Sequence, residues 1–303
     1  MAVKVTSKIK AILKDRDAEI ISGQEAVRRL LEETRKQILM DLAVIPGDGF
    51  SAHFLQQSLA AITDQLATWE SATNRELDGR LSNTWEMGTS LLPEACAASG
   101  VQLGYVGIST HTLDALKDFT FGRIASVKGD LFNKIRGELS LGVLGQKTAQ
   151  EVTQAIIGDI GNLPLPVGRG GVPVFKSVRE RAEVITGTEM GRAFSLATQK
   201  SIEAARETVP EMGSMWIHAG HPKQPRLIHM YMHGEVRTEG KPFYKTPEGI
   251  PVHYPRDPKA PIKEVIRCGC THIPYHPLFG DRAAFAADFD TQQVKTAERH
   301  KGS

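Results

Sequence analysis

The stretch Gly161–Phe175, GNLPLPVGRGGVPVF, decides how this chain divides. Pro removes a backbone donor and fixes φ, and Gly loses the most entropy when ordered, so a run this rich in both disfavours helix and central strand. Residues 161–175 therefore read as an exposed connection between two regions of different texture.

Towards the N-terminus, apolar residues recur at steps of three and four, the spacing of one helical face. Val152, Ile156 and Ile160 predict a helix over Gln146–Ile160, and Leu113, Leu116, Ile124, Val127 and Leu131 predict one from about Thr112 to Lys134. Two further stripes, Leu55–Leu59–Ile62–Leu66–Trp69 and Val27–Leu31–Thr34–Ile38, flank a loop at Pro46–Gly49. Between Gly79 and Gly145, glycines at 88, 100, 104, 107, 122, 129, 137 and 142 predict short helices rather than long ones. Apolar seams need partners, either one another in a bundle or a helix of another protein. Residues 1–160 are thus expected to form a helical docking region.

Towards the C-terminus, a helix is expected over Ser177–Glu207, with a seam of Val178, Ala182, Ile185, Glu189, Ala193 and Leu196. Glu189 is out of place there. It reads as an edge carboxylate reaching for solvent, the alternative being a buried ion pair with Arg192 or Arg226. Beyond Pro210, prolines at 222, 225, 242, 247, 251, 255, 258 and 261 rule out long helices. Met215–Ile217 and Val265–Ile266 are strand candidates, and Phe243–Tyr244 is expected to be extended. Residues 176–280 form the expected module and 281–303 a flexible polar tail. The fold class is mainly α, an extended helical N-terminal region followed by a small α+β C-terminal module.

The 303 residues are 41% hydrophobic and 24% charged, which suits a folded globular protein and excludes a fully disordered one. A net charge of +2 gives no global electrostatic reason for a nucleic-acid partner. Three cysteines cannot build a multi-bridge framework of the secreted kind, so a reducing compartment is expected. The N-terminus lacks an apolar signal region, and no apolar run approaches the ~20 residues of a membrane span.

The chemistry-bearing residues crowd into the C-terminal module. His229 and His233 in HMYMH are four apart, a spacing that puts both imidazoles on one face of a helical turn. Cys268 and Cys270 in RCGC offer two thiols around Gly269, which permits a tight turn. Two thiolates and two imidazoles are the ligands of a closed, structural zinc site, with His272 or His276 able to stand in for His233. The alternative is that both cysteines are small buried hydrophobes while His229 pins a loop. His229 with Glu235 or Glu264, or Cys268 with a histidine, are conceivable catalytic pairs. No nucleophile elbow, phosphate loop or zincin motif accompanies them, so no enzyme is expected.

The order of residues in this module resembles the phage Mu F-type minor head protein family, the phage head morphogenesis proteins. Trp216 is followed by Arg-x-x-His (Arg226, His229), Gly234, an aromatic and a proline (Phe243, Pro247), Tyr-Pro-x-Asp-Pro (Tyr254–Pro258, with Asp257 and Pro258), and Cys-x-Cys (Cys268, Cys270). Upstream, Arg181, Ala182, Thr188 and Glu189 resemble the family's Arg-Ala helix with its Thr-Glu pair. The match covers about Gln146–Pro274. It implies a minor component of the virion head that joins the procapsid in the host cytoplasm near the portal vertex. Portal, major capsid or scaffolding proteins are the implied partners, packaged DNA is a further one, and no membrane is involved. Glu189, Trp216, Arg226, Gly234, Asp257 and Pro258 are implied to stabilise the fold. The different reading is a metal-dependent hydrolase or nuclease in the same module.

Overall fold

The computed structural model describes residues 2–43, 52–104, 107–162, 175, 177–218, 226–238 and 240–291, and among these the chain is mainly α. The loop expected at Pro46–Gly49 lies outside the described residues, as do 163–174 of the connection.

The helical half consists of α1 (Ala2–Ala43), α2 (Ala52–Ser99), α3 (His111–Val143) and α4 (Ala149–Asn162), followed by α5 (Val178–Ala205). The short helices expected between Gly79 and Gly145 are instead two long ones. α2 continues through Gly79, Gly88 and even Pro93, and α3 through Gly122, Gly129 and Gly137. A glycine inside a helix costs about 0.5–1 kcal/mol, whereas burying one Leu, Ile or Val gains about 1.5–3 kcal/mol. In α3, Leu113, Leu116, Ile124, Val127, Leu131, Ile135 and Leu139 are all buried on one stripe, so the stripe outweighs the glycines. Gly88 has a further reason to be small: a Cβ there would lie 2.5 Å from the Phe194 carbonyl oxygen of α5. α4 begins with a reciprocal capping box, in which the Thr148 N–H donates to Glu151 and the Glu151 N–H to the Thr148 hydroxyl.

The chain forms two compact units assembled from interleaved segments: residues 1–20, 80–116 and 187–303 in one, 21–79 and 117–186 in the other. The second unit is helical. Val27, Leu31 and Ile38 of α1, Ile62, Leu66 and Trp69 of α2, and Val152, Ile156 and Ile160 of α4 are buried within the chain. The seams read from sequence are therefore used intramolecularly. Ion pairs Lys128–Glu70, Arg181–Asp130 and Lys117–Asp78 join its helices.

In the first unit the C-terminal module packs on helices. Strands β1 (Gly213–Ile217), β2 (Val236–Arg237) and β5 (Thr271–Tyr275) form an antiparallel sheet in the order β2-β1-β5, and β3 (Tyr244–Lys245) pairs with β4 (Pro251–Val252). Short helices α6 (Leu227–Tyr231) and α7 (Ile262–Val265) lie between strands. The strand expected at Val265–Ile266 is instead the end of α7 and its cap. The actual strand, β5, contains Pro274 and occupies an edge, where a missing donor is tolerated.

The expected flexible tail is only partly one. α8 (Arg282–Ala287) follows Asp281, which caps it through the Ala284 N–H, and Phe285, Ala286 and Phe289 are buried in the core. That core also takes Val5 and Ile9 from α1, Leu91 and Leu92 from α2, and Phe194 and Ile202 from α5. Residues 292–303 lie outside the described residues.

Candidate metal centre

Every residue of β1 and β5 is buried, because the sheet is covered on both faces. Side chains alternate along a strand. Met215 and Ile217 of β1, with Ile273 and Tyr275 of β5, enter the main core, while Trp216 belongs to a second cluster with Phe243, Val252, Val265, Cys268 and Cys270. The register pairs Ile217 with Thr271 and Trp216 with His272. Continued by one step, it sets His218 opposite Cys270, both on the face of Trp216.

Around that face three ligand atoms, one each from His229, Cys268 and Cys270, lie within 4.8 Å of one another. His229 Nδ1 is 3.5 Å from Cys268 Sγ and 3.8 Å from Cys270 Sγ, and His218 Nδ1 is 3.3 Å from Cys270 Sγ. In a tetrahedral zinc site, Zn–S of about 2.3 Å and Zn–N of about 2.0–2.1 Å place neighbouring sulfur and nitrogen roughly 3.6 Å apart. The His229, Cys268 and Cys270 side chains are 3%, 4% and 1% exposed. This buried group can hold a metal ion.

His229 is braced on its other side. Its Nε2 is 2.8 Å from the Tyr244 hydroxyl and 3.3 Å from Glu264 Oε2, and the Tyr244 hydroxyl donates to the same carboxylate. Such outer partners fix the tautomer and ring orientation of metal-bound imidazoles. Trp216 packs edge-on against the imidazole, with centroids 5.3 Å apart. The thiols are electrostatically unequal. A hydrogen bond from the Cys270 thiol, with His229 and Arg256 nearby, holds Cys268 well below the ordinary thiol range, whereas burial pushes Cys270 well above it.

Arg256 holds the backbone of the cysteine turn. Its guanidinium donates to the Cys268 and Cys270 carbonyls, and its own carbonyl accepts from Arg192 Nε. Arg192 in turn pairs with Glu189, so Glu189 is a buried ion-pair partner and not a snorkelling edge residue. Gly191 allows this approach, since a Cβ there would be 2.6 Å from Arg256 Cζ. The tight backbone of the turn falls on Arg267, with φ of +52°, one residue before Cys268.

Arg226 is not the partner of Glu189; it donates to the Lys263 and Ile266 carbonyls and ties α6 to α7. Gly234, with φ of +74°, donates to the Trp216 carbonyl, and a Cβ on it would be 2.9 Å from Ala286. Asp257 accepts from the His253 and Lys259 backbone N–H groups, bracketing Pro258 in the turn.

His233 is not part of the ligand cluster. α6 ends at Tyr231, so the four-residue spacing does not bring the two imidazoles to one face. Its Nδ1 accepts from the His218 backbone N–H, and its Nε2 lies 3.1 Å from Asp290. Neither proposed stand-in replaces it. His272 is fully buried against Tyr254 and held neutral, its pKa pushed down to about 3 by burial with Arg16 and Arg256 nearby. His276 caps the following turn through the Leu278 N–H. Sequence reasoning did not assign roles to His218, Arg256 or Tyr244. The signal for His218 was present in the alternation of β1, but its use required the register with β5.

Among the described residues no helix is long and apolar enough to cross a membrane. Comparison with known proteins finds no matching family model, no matching curated protein and no matching solved structure.

Proposed function

We propose that this chain is a minor head protein of a tailed bacteriophage, acting in head morphogenesis, and that its C-terminal module is fastened by a structural zinc ion on His229, Cys268 and Cys270. One observation supports this reading above the others. Trp216, Arg226, His229, Gly234, Phe243, Cys268 and Cys270, the residues whose order resembles the phage Mu F-type family, are spread over 55 positions of sequence yet surround one buried cluster. Their joint role is to hold a small fold together. A module with few aliphatic residues gains from such a staple.

Function on this reading resides in surfaces. The helical seams are buried, so portal, capsid or scaffolding proteins dock on outward faces, and any contact with packaged DNA is made there too. The different reading, a metal-dependent hydrolase or nuclease, needs a coordination position open to water and a substrate cleft. The burial of all three ligand side chains favours the structural role.

Two measurements test the proposal separately. Head precursors assembled with their portal in the presence of the tagged chain are expected to retain it at low copy number. Precursors that contain the portal yet never retain the chain would refute the head-protein reading. Elemental analysis of the purified chain is expected to give one zinc per molecule for the wild type and none for Cys268→Ser; equal zinc content in both would refute the metal reading.

A further inference from the structure

We infer that His218 is the fourth metal ligand: its imidazole touches Cys270 but stands outside the mutually close group of His229, Cys268 and Cys270, and it turns inward on metal binding to close a tetrahedron of all four. The inference rests on the zinc reading above and goes beyond it in assigning the ligand that no sequence motif marks.

Three observations carry it. The β1-β5 register, extended one step past Ile217 and Thr271, makes His218 and Cys270 direct cross-strand neighbours, and alternation puts both side chains on the face of Trp216. The His218 Nδ1 atom is 3.3 Å from Cys270 Sγ, close to the roughly 3.6 Å edge expected between nitrogen and sulfur ligands of one zinc. His218 is also held from behind. Its backbone N–H donates to His233 Nδ1, whose Nε2 faces Asp290, so the residue named by the HMYMH spacing serves as a brace for the ligand.

The four ligands come from three separate places: the end of β1, α6, and the turn leading into β5. Metal binding would tie these together at their point of convergence. With both thiols deprotonated and both imidazoles neutral, a dipositive ion leaves the site with no net charge. That balance suits a buried position. A fourth ligand, the second imidazole, also removes the position that a reacting water would occupy, which is the chemical difference between a fastener and a hydrolase.

The test uses the full chain loaded with cobalt(II) or zinc(II). Wild-type protein with one equivalent of cobalt is expected to give the intense visible bands of tetrahedral coordination and a thiolate-to-cobalt charge-transfer band set by two sulfurs. His218→Cys adds a third thiolate and should raise that band by about half. His218→Ala should weaken binding at least about tenfold and reduce the tetrahedral bands as water enters, while His111→Ala, at the exposed start of α3, should leave the charge-transfer intensity unchanged. X-ray absorption fine structure on the zinc-loaded wild type counts ligands without any substitution, and two sulfurs with two imidazoles are expected. A single imidazole, or a His218→Cys band equal to wild type with one cobalt still bound, overturns the assignment of His218 alone. Failure of the wild type to bind either metal overturns the zinc reading itself.

Discussion

Glu189→Gln isolates the contribution of the buried ion pair that stands behind the candidate site. Glu189 is 1% exposed and Arg192 is 4% exposed, and the two side chains are paired within α5. The substitution preserves shape and removes only the negative charge. Arg192 keeps its bond to the Arg256 carbonyl at 3.2 Å, but its buried cation loses the charge of Glu189. Breaking a buried pair in this way costs about 3–5 kcal/mol, and the lower end is expected because the Gln carbonyl can still accept from Arg192. Because Arg256 also carries the Cys268 and Cys270 carbonyls, the same change should loosen the cysteine turn. Metal affinity should then fall about tenfold, the lower bound for loss of an outer-shell support. Urea denaturation in a Trp69→Phe background is a suitable assay, since the two remaining tryptophans, Trp85 and Trp216, both belong to the unit that contains the site. Arg192→Met added to Glu189→Gln should recover much of the loss, because a neutral pair leaves no buried charge. A loss below about 1 kcal/mol for Glu189→Gln, or strict additivity in the double variant, would refute the reasoning.

Gly88→Ala should lower stability by about 1–3 kcal/mol in the same denaturation assay, since the new methyl meets the Phe194 carbonyl oxygen at 2.5 Å and α2 must move away from α5. Gly137→Ala in α3 should act in the opposite direction by about 0.5–1 kcal/mol, because nothing lies within 4 Å of its Cβ and only the helical entropy term changes. Burial raises the Cys96 thiol to about 11, so in a Cys268→Ser/Cys270→Ser variant at pH 8 a thiol reagent should label it more than about 100-fold slower than in denaturant. Raising the pH towards 11 should speed labelling as thiolate accumulates, while rapid labelling at pH 8 would contradict its burial.

Apolar periodicity located the helices of this chain well, because burying a stripe dominates local preference. Val152, Ile156 and Ile160 are buried where a helix was expected, and so are Ile62, Leu66 and Trp69. Helix lengths were misread at the glycines, whose small local cost is outweighed by the apolar residues on either side. The module was harder to read because its decisive facts are non-local. His229, Cys268 and Cys270 could be named from their chemistry as a group able to hold a metal, but which histidines stand near them depended on strand register and helix length. Spacing favoured His233 through a helical turn that ends two residues too early. Pro274 hid β5, since a proline within a strand is acceptable only at an edge, and which strand forms the edge is a property of the whole sheet. Glu189 was recognised as anomalous, yet its burial follows from its ion pair with Arg192, which is itself held by the Arg256 carbonyl from a distant part of the sequence.

The Thr6 hydroxyl donates to Asp288 at 2.7 Å across 282 positions of sequence, and Lys10 lies over the Phe289 ring. The core of the first unit therefore cannot close until nearly all of this chain has left the ribosome. At ordinary synthesis rates of about 5–20 residues per second, the segment carrying Val5 and Ile9 waits roughly 15–60 s before Phe285 and Phe289 complete the cover of its apolar stripe. During that interval the stripe is open to chaperones or to any assembling neighbour. A cut in the Gly161–Phe175 connection would likewise leave each fragment holding only part of this core.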